Sequence, residues 1–189
     1  SRLESIENIL EMSGYKTKNL EKLIVTGCLN ELKYSDLGTS MPEVDLFVNV
    51  KDNEKIVDLI FGLYSQNYHH EYTEGRTLTT PKHYAYIKIS EGCNNFCSYC
   101  LIPYIRGRFK SRKIEDILDE ARMLANSGTT ELILVAQDVT KYGEDLYGKI
   151  SLVELIQKLS EIENIKWIRL LYCYPELIDD NLINEIKNN

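Results

Sequence analysis

Three of the chain's five cysteines, Cys93, Cys97 and Cys100, fall within eight residues in the stretch ISEGCNNFCSYCLIPYIRGR. Their spacing is Cys-x3-Cys-x2-Cys. Thiolates are soft ligands, and three on one short loop can each hold one iron of a 4Fe–4S cube. The fourth iron then stays open for a substrate or cofactor to chelate. A structural zinc site takes four protein ligands instead. His69, His70 or His83 could supply the fourth, so zinc is the plainer alternative, and a fortuitous cluster is a third. The compact spacing favours iron–sulfur. Cys28 and Cys173 lie apart from the triplet. The odd count, and an opening SRLESIENIL without a leader pattern, argue for ligation or catalysis over disulfides.

The elements around the loop must place it. HYAYIKIS (83–90) has strand composition and runs into the cysteines. IEDILDEARMLANSG follows them as a helix with Ile114, Ile117, Leu118, Ala121 and Leu124 on one face. ELILVAQ (131–137) reads as a buried strand, and SLVELIQKLSEI (151–162) as a helix opened by a Ser151–Glu154 capping box. WIRLLYC (167–173) is a strand containing Cys173, stopped by Pro175, and Ile178 to Ile186 is a last helix. In parallel α/β architectures, sites form at the C-terminal ends of the strands, where this loop sits. Three βα units are too few to close an eight-fold barrel, so the sheet is open or the barrel is cut short.

Upstream, residues 2–12 have helical spacing, LIVTGC (23–28) and VDLFVNV (44–50) read as strands, and KIVDLIFGLYSQ (55–66) as a helix. A short helix is expected from Asn30 to about Leu37. The fold class is therefore α/β with parallel sheets. Three segments are expected: an α/β domain over 1–70, a polar linker over 71–82, and a βα domain over 83–189.

The apolar fraction of 43% supports a real core, and no apolar run reaches the roughly 18 residues of a membrane span. No membrane partner is therefore expected, and the net charge of −7 and pI near 5.1 argue against general nucleic-acid binding. Arg106, Arg108, Lys110, Arg112 and Lys113 form a local basic run. A solvated face is its plain reading; offsetting a negative cluster or meeting a partner's surface are the others.

The pattern Cys-x3-Cys-x-aromatic-Cys, with Tyr99 as the aromatic, resembles the cluster loop of radical S-adenosylmethionine (SAM) enzymes. The resemblance implies that SAM binds the open iron through its amino and carboxylate groups. It is then cleaved to methionine and a 5′-deoxyadenosyl radical, with backbone beside Tyr99 meeting the adenine. YIKISEGCNNFCSYCLIPYIRGRFKSR looks like the methylthiotransferases within that group. LIVTGCLNEL followed by PEVD resembles their preceding domain, where three cysteines hold a second 4Fe–4S cluster. Cys28 matches the last of those three, and the first two would lie upstream of Ser1. AQDVTKYGEDLYGK (136–149) and WIRLLYCYPELIDDNLI (167–183) resemble the members that modify an aspartate β-carbon of a small-subunit ribosomal protein. Members acting on transfer-RNA adenosine are the alternative. They are expected to carry Gln-Asn in place of Gln137-Asp138 and a histidine before the proline matching Pro175.

The resemblance implies SAM, two 4Fe–4S clusters in the whole enzyme, a ribosomal-protein partner and a cytoplasmic setting. It also implies a chain lacking both ends, inactive alone and able to self-associate through an exposed sheet edge. Other residues carry two readings each. Gln137 and Asp138, after a buried strand, either line the SAM or substrate pocket or begin a hydrogen-bonded loop. Arg169, inside an apolar strand, either pairs with SAM's carboxylate or a buried acid, or extends its charge to solvent. Cys173 reads as a buried structural thiol, and a non-catalytic zinc module is the rival of another class.

Overall fold

Short apolar runs form strands in this chain, and runs of helical period form the helices that cover them. The computed structural model describes residues 2–31, 37–64 and 76–189. The chain divides into two units, Ser1–Thr73 with Tyr104–Arg106, and Glu74–Pro103 with Gly107–Asn189.

In the first unit, α1 (Arg2–Ser13) precedes β1 (Ile24–Thr26) and β2 (Leu46–Val48), with α2 (Ile56–Leu63) after them. The strands pair in parallel from Ile24↔Leu46 to Thr26↔Val48. They are shorter than their apolar runs. Gly27, at φ 117°, ends β1, and a 3-10 turn begins at Cys28. The helix expected over Asn30–Leu37 falls largely on residues 32–36, outside the described residues; a 3-10 turn (Cys28–Glu31) and a helical turn (Leu37–Ser40) flank them. The last two residues of the 55–66 helix also lie outside. The side-chain amide of Asn30 donates to the carbonyls of Val25 (2.9 Å) and Val48 (2.7 Å) and ties the two strands together. Asp45 accepts from the Leu23 N–H at 2.7 Å and pairs with Lys16 at 2.5 Å and Lys22 at 3.4 Å.

In the second unit, β3 (Tyr84–Lys88), β6 (Glu131–Val135) and β7 (Trp167–Leu170) form one parallel sheet in that order. Parallel neighbours need crossovers. Here α3 (Ile114–Asn126) and α4 (Leu152–Ser160) supply them, and α5 (Asp180–Asn188) follows β7. Two-residue strands β4 (Ser90–Glu91) and β5 (Lys110–Ser111) pair antiparallel, which no local pattern announces. Side chains alternate across the sheet. Ala85, Ile87, Leu132 and Leu134 pack against Ile117, Ala121, Leu124, Leu155 and Leu159. From the opposite face Tyr86, Lys88, Trp167 and Arg169 project and are exposed. Every residue on the expected face of α3 is buried. Among the described residues no helix is long and apolar enough to cross a membrane.

Two local expectations give way. Ser151 caps α4 by position, but its hydroxyl donates to the Lys149 carbonyl at 3.2 Å. Glu154 is taken by Lys158 at 3.0 Å, so no capping box forms. The strand at 167–173 stops at Leu170, because Tyr172 turns to φ 66°, and Cys173 lies beyond it. The last helix begins at Asp180 under the carboxylate of Asp179, which accepts the Leu182 N–H at 2.9 Å.

Two outcomes follow. Leu155→Ala, at a fully buried position between helices and sheet, lowers stability by about 2–5 kcal/mol in denaturant unfolding. Lys16, with the Leu23 N–H, holds the Asp45 carboxyl down at about 2. A depressed carboxyl contributes stability above its unfolded pKa, near 3.9. That contribution is lost as pH falls from there towards about 2, and Asp45→Asn abolishes the loss in an acid titration of the first unit.

Candidate metal centre

The cysteine loop is closed at its base before any cysteine is reached. The Ile89 N–H donates to Val135 at 3.0 Å and prolongs the β3–β6 ladder. The β4–β5 pair then joins Ser90 to Ser111 and Glu91 to Lys110. Gly92 follows at φ 74°, where an added Cβ would lie 2.2 Å from the Arg108 carbonyl oxygen. Only glycine lets the two arms approach so closely. The Cys93 N–H donates to Gly107 at 3.2 Å, and the Phe109 N–H to the Asn94 side-chain oxygen at 3.1 Å. Inside the loop the Arg108 guanidinium stacks 4.7 Å from the ring of Phe96.

Cys93 is buried at 8% exposure, and Cys97 and Cys100 are half-buried; all three are free thiols. The Cys100 N–H donates to the Cys97 carbonyl at 2.9 Å, so these two share one turn. The Asn95 N–H points at Cys93 Sγ from 3.4 Å. Among the described residues no three Cys, His, Asp or Glu side chains are placed to hold a single metal ion. His83 precedes β3 while the cysteines leave its other end, and His69 and His70 lie outside the described residues. An iron–sulfur cube asks for something looser, because each thiolate takes a different iron.

Residues beyond β6 border the loop. Gln137 has a buried side-chain oxygen with no hydrogen-bond donor among the described residues. Such an acceptor costs about 1–3 kcal/mol and suits a ligand bearing an N–H. The three-cysteine loop and this orphaned acceptor together fit a cluster with an amine-bearing cofactor. Asp138, 1% exposed, accepts from the Thr140 N–H at 3.1 Å, from the Thr140 hydroxyl, and from the Asn95 amide at 2.9 Å. The Tyr174 N–H donates to the Thr140 hydroxyl oxygen at 3.3 Å. The charge of Glu176 raises the Tyr174 phenol, and Cys97 adds to it. Burial pushes the Cys173 thiol up, with Asp138 adding.

Other sequence candidates stand elsewhere. Tyr99 is 88% exposed at the edge of the loop. Arg169 finds an acid, but it is Glu131 at the start of the neighbouring strand, at 2.8 and 2.7 Å, and the arginine is half in solvent. Arg112, in the basic run, donates to the Lys88 carbonyl at 2.8 Å and pairs with Glu120 at 2.6 Å. Arg76 pairs with the same Glu120 at 2.8 Å, so this part of the run is structural. Cys28 is exposed in the first unit. Asn95, Thr140 and Tyr174 escaped the sequence reading. Their only signal was their position, between the cysteines or just after a strand.

A three-cysteine loop at the C-terminal end of the first strand of a parallel βα series is the arrangement of radical SAM enzymes. The signature of the Radical SAM superfamily matches residues 87–189, and the chain belongs to that superfamily. Its cofactors are a 4Fe–4S cluster and S-adenosyl-L-methionine. "Ribosomal protein uS12 methylthiotransferase RimO" of Clostridium tetani is 50% identical over all of this chain and 45% of its own length. The protein of that description from Acetivibrio thermocellus is 52% identical over 98% of this chain and 45% of its own length. The chain thus spans about half the length of the curated relatives it matches. A solved radical S-adenosylmethionine methyltransferase, TsrM from Kitasatospora setae, with cobalamin and a [4Fe-4S] cluster bound, covers 53% of this chain and 19% of itself. At 19% identity and a TM-score of 0.42 that likeness is too slight to argue from.

Gly92→Ala forces a left-handed backbone and a clash with Arg108. It destabilises the second unit by about 3 kcal/mol in denaturant unfolding and speeds alkylation of Cys93.

Proposed function

We propose that the chain is part of a radical SAM methylthiotransferase that adds a methylthio group to the β-carbon of an aspartate of ribosomal protein uS12. The observation that carries this reading is the identity of 50–52%, spread over 98–100% of the chain, to relatives described by that activity. Cys93, Cys97 and Cys100 hold the SAM-binding cluster. Cys28 is a ligand of the second cluster together with cysteines outside this sequence. Bound there, cluster and SAM supply the one-electron chemistry that opens an unactivated C–H bond.

The chain's own residues prepare the place. Burial of Cys93 keeps water from its sulfur, and the Asn95 N–H donates to that sulfur. The unpartnered side-chain oxygen of Gln137 would accept from an N–H of SAM, and backbone beside Tyr99 would meet the adenine. A net charge of −7 suits a basic protein partner, as a protein that binds ribosomal RNA is. Such a substrate sets the reaction in the cytoplasm.

Anaerobic reconstitution with iron and sulfide tests the centre. The wild-type chain gives an iron–sulfur absorption band, and Cys93→Ala loses most of it; an unchanged band in the variant overturns the assignment. The complete enzyme, assayed against uS12 and transfer RNA, modifies the aspartate. Modified adenosine with untouched uS12 refutes the substrate.

A further inference from the structure

Asp138 lies in the element that lines the site, yet its carboxylate is turned towards the protein. One oxygen accepts both the N–H and the hydroxyl of Thr140, and the other accepts the side-chain amide of Asn95 at 2.9 Å. Asn95 sits between Cys93 and Cys97 and spends its backbone N–H on the Cys93 sulfur. Thr140 in turn receives the Tyr174 N–H, and the Val139 N–H donates to the Tyr172 carbonyl at 3.2 Å. These bonds join the loops that follow β3, β6 and β7. A carboxylate only 1% exposed must be satisfied by donors, and three neutral groups do so here.

We infer that Asn95, Asp138 and Thr140 form a clamp that positions the cysteine loop on the ends of β6 and β7, with Asp138 acting as a positioning residue and not as a cofactor ligand. The clamp itself stands on the geometry; its service to a cluster rests on the function proposed above. The other loop asparagine, Asn94, closes the base through Phe109, so the two asparagines fix the loop at two separate points. The Asn95 bond is the one that reaches outside the loop. Its donor and acceptor are exchangeable. Making Asn95→Asp and Asp138→Asn together would keep each hydrogen bond. The amide introduced at position 138 would donate to the carboxylate introduced at position 95, while its oxygen still served Thr140. Asn95→Asp alone would set two carboxylates against each other.

The test compares the full chain as wild type, Asn95→Asp, and the double exchange Asn95→Asp with Asp138→Asn. Asn95 is partly exposed, so the single variant leaves the core intact, which a thermal melt followed by circular dichroism verifies. The first readout needs no metal: the alkylation rate of Cys93, buried at 8%, in the apo chain. Asn95→Asp raises it about tenfold or more, the size of one hydrogen bond to a charged group, and the double exchange returns it near wild type. The second readout is iron retained and the electron paramagnetic resonance signal of the reduced cluster, which fall in the single variant and recover in the double. Cys93 equally protected in the single variant, or a double exchange that restores nothing, overturns the clamp. A wild-type chain that takes up no iron while alkylation follows the expected pattern overturns the cluster reading and leaves the clamp standing.

Discussion

Parallel pairing of β3, β6 and β7 is the constraint from which the site descends. Parallel strands all end on the same side of a sheet, and neighbours lie about 4.8 Å apart. The loops after the three strands therefore meet although they are distant in sequence. The pairing is held by what lies beneath it. Ala85, Ile87, Leu132 and Leu134 are wholly buried under α3 and α4, and parallel ladders owe their stability to such cover. The geometry of the thiols is thus set by an apolar cluster beneath the sheet that contains none of the three.

The loop is ordered by its own bonds as well as by its neighbours. Its base is tied by the β4–β5 pair, by Gly92 against Arg108, and by the Cys93 and Phe109 N–H groups. A loop already shaped by protein contacts would give up less freedom on binding a metal. The cost is local intolerance. Gly92 cannot carry a side chain, and a buried carboxylate at 138 must keep its donors.

Much of this was legible from the residues. The cysteine spacing needed no structure; the helical face of α3 followed from periodicity, and the strands β3 and β6 from strand composition and a short apolar run. What was hidden is non-local. A two-residue antiparallel pair has no period to detect. Asn95 and Asp138 are joined across the fold, so neither one's sequence neighbours point to the other. Arg169 looked like a charge stranded in an apolar strand until Glu131 on the next strand met it. The Ser151–Glu154 pattern fits a capping box, but Lys158 one turn later competed for the carboxylate and won. Local rules name the pieces; the partners are chosen by topology.

Asn95 precedes its carboxylate by 43 positions in the chain. A growing polypeptide therefore completes the cysteine loop, and all of α3, before the group that fastens the loop has been synthesised. Until β6 and Asp138 emerge, the thiols belong to a loop tethered only at its base. On the function proposed above, assembly of the centre would have a built-in order, in which the thiols are made first and the carboxylate that holds their loop afterwards, so metal arriving early would meet an unfinished seat.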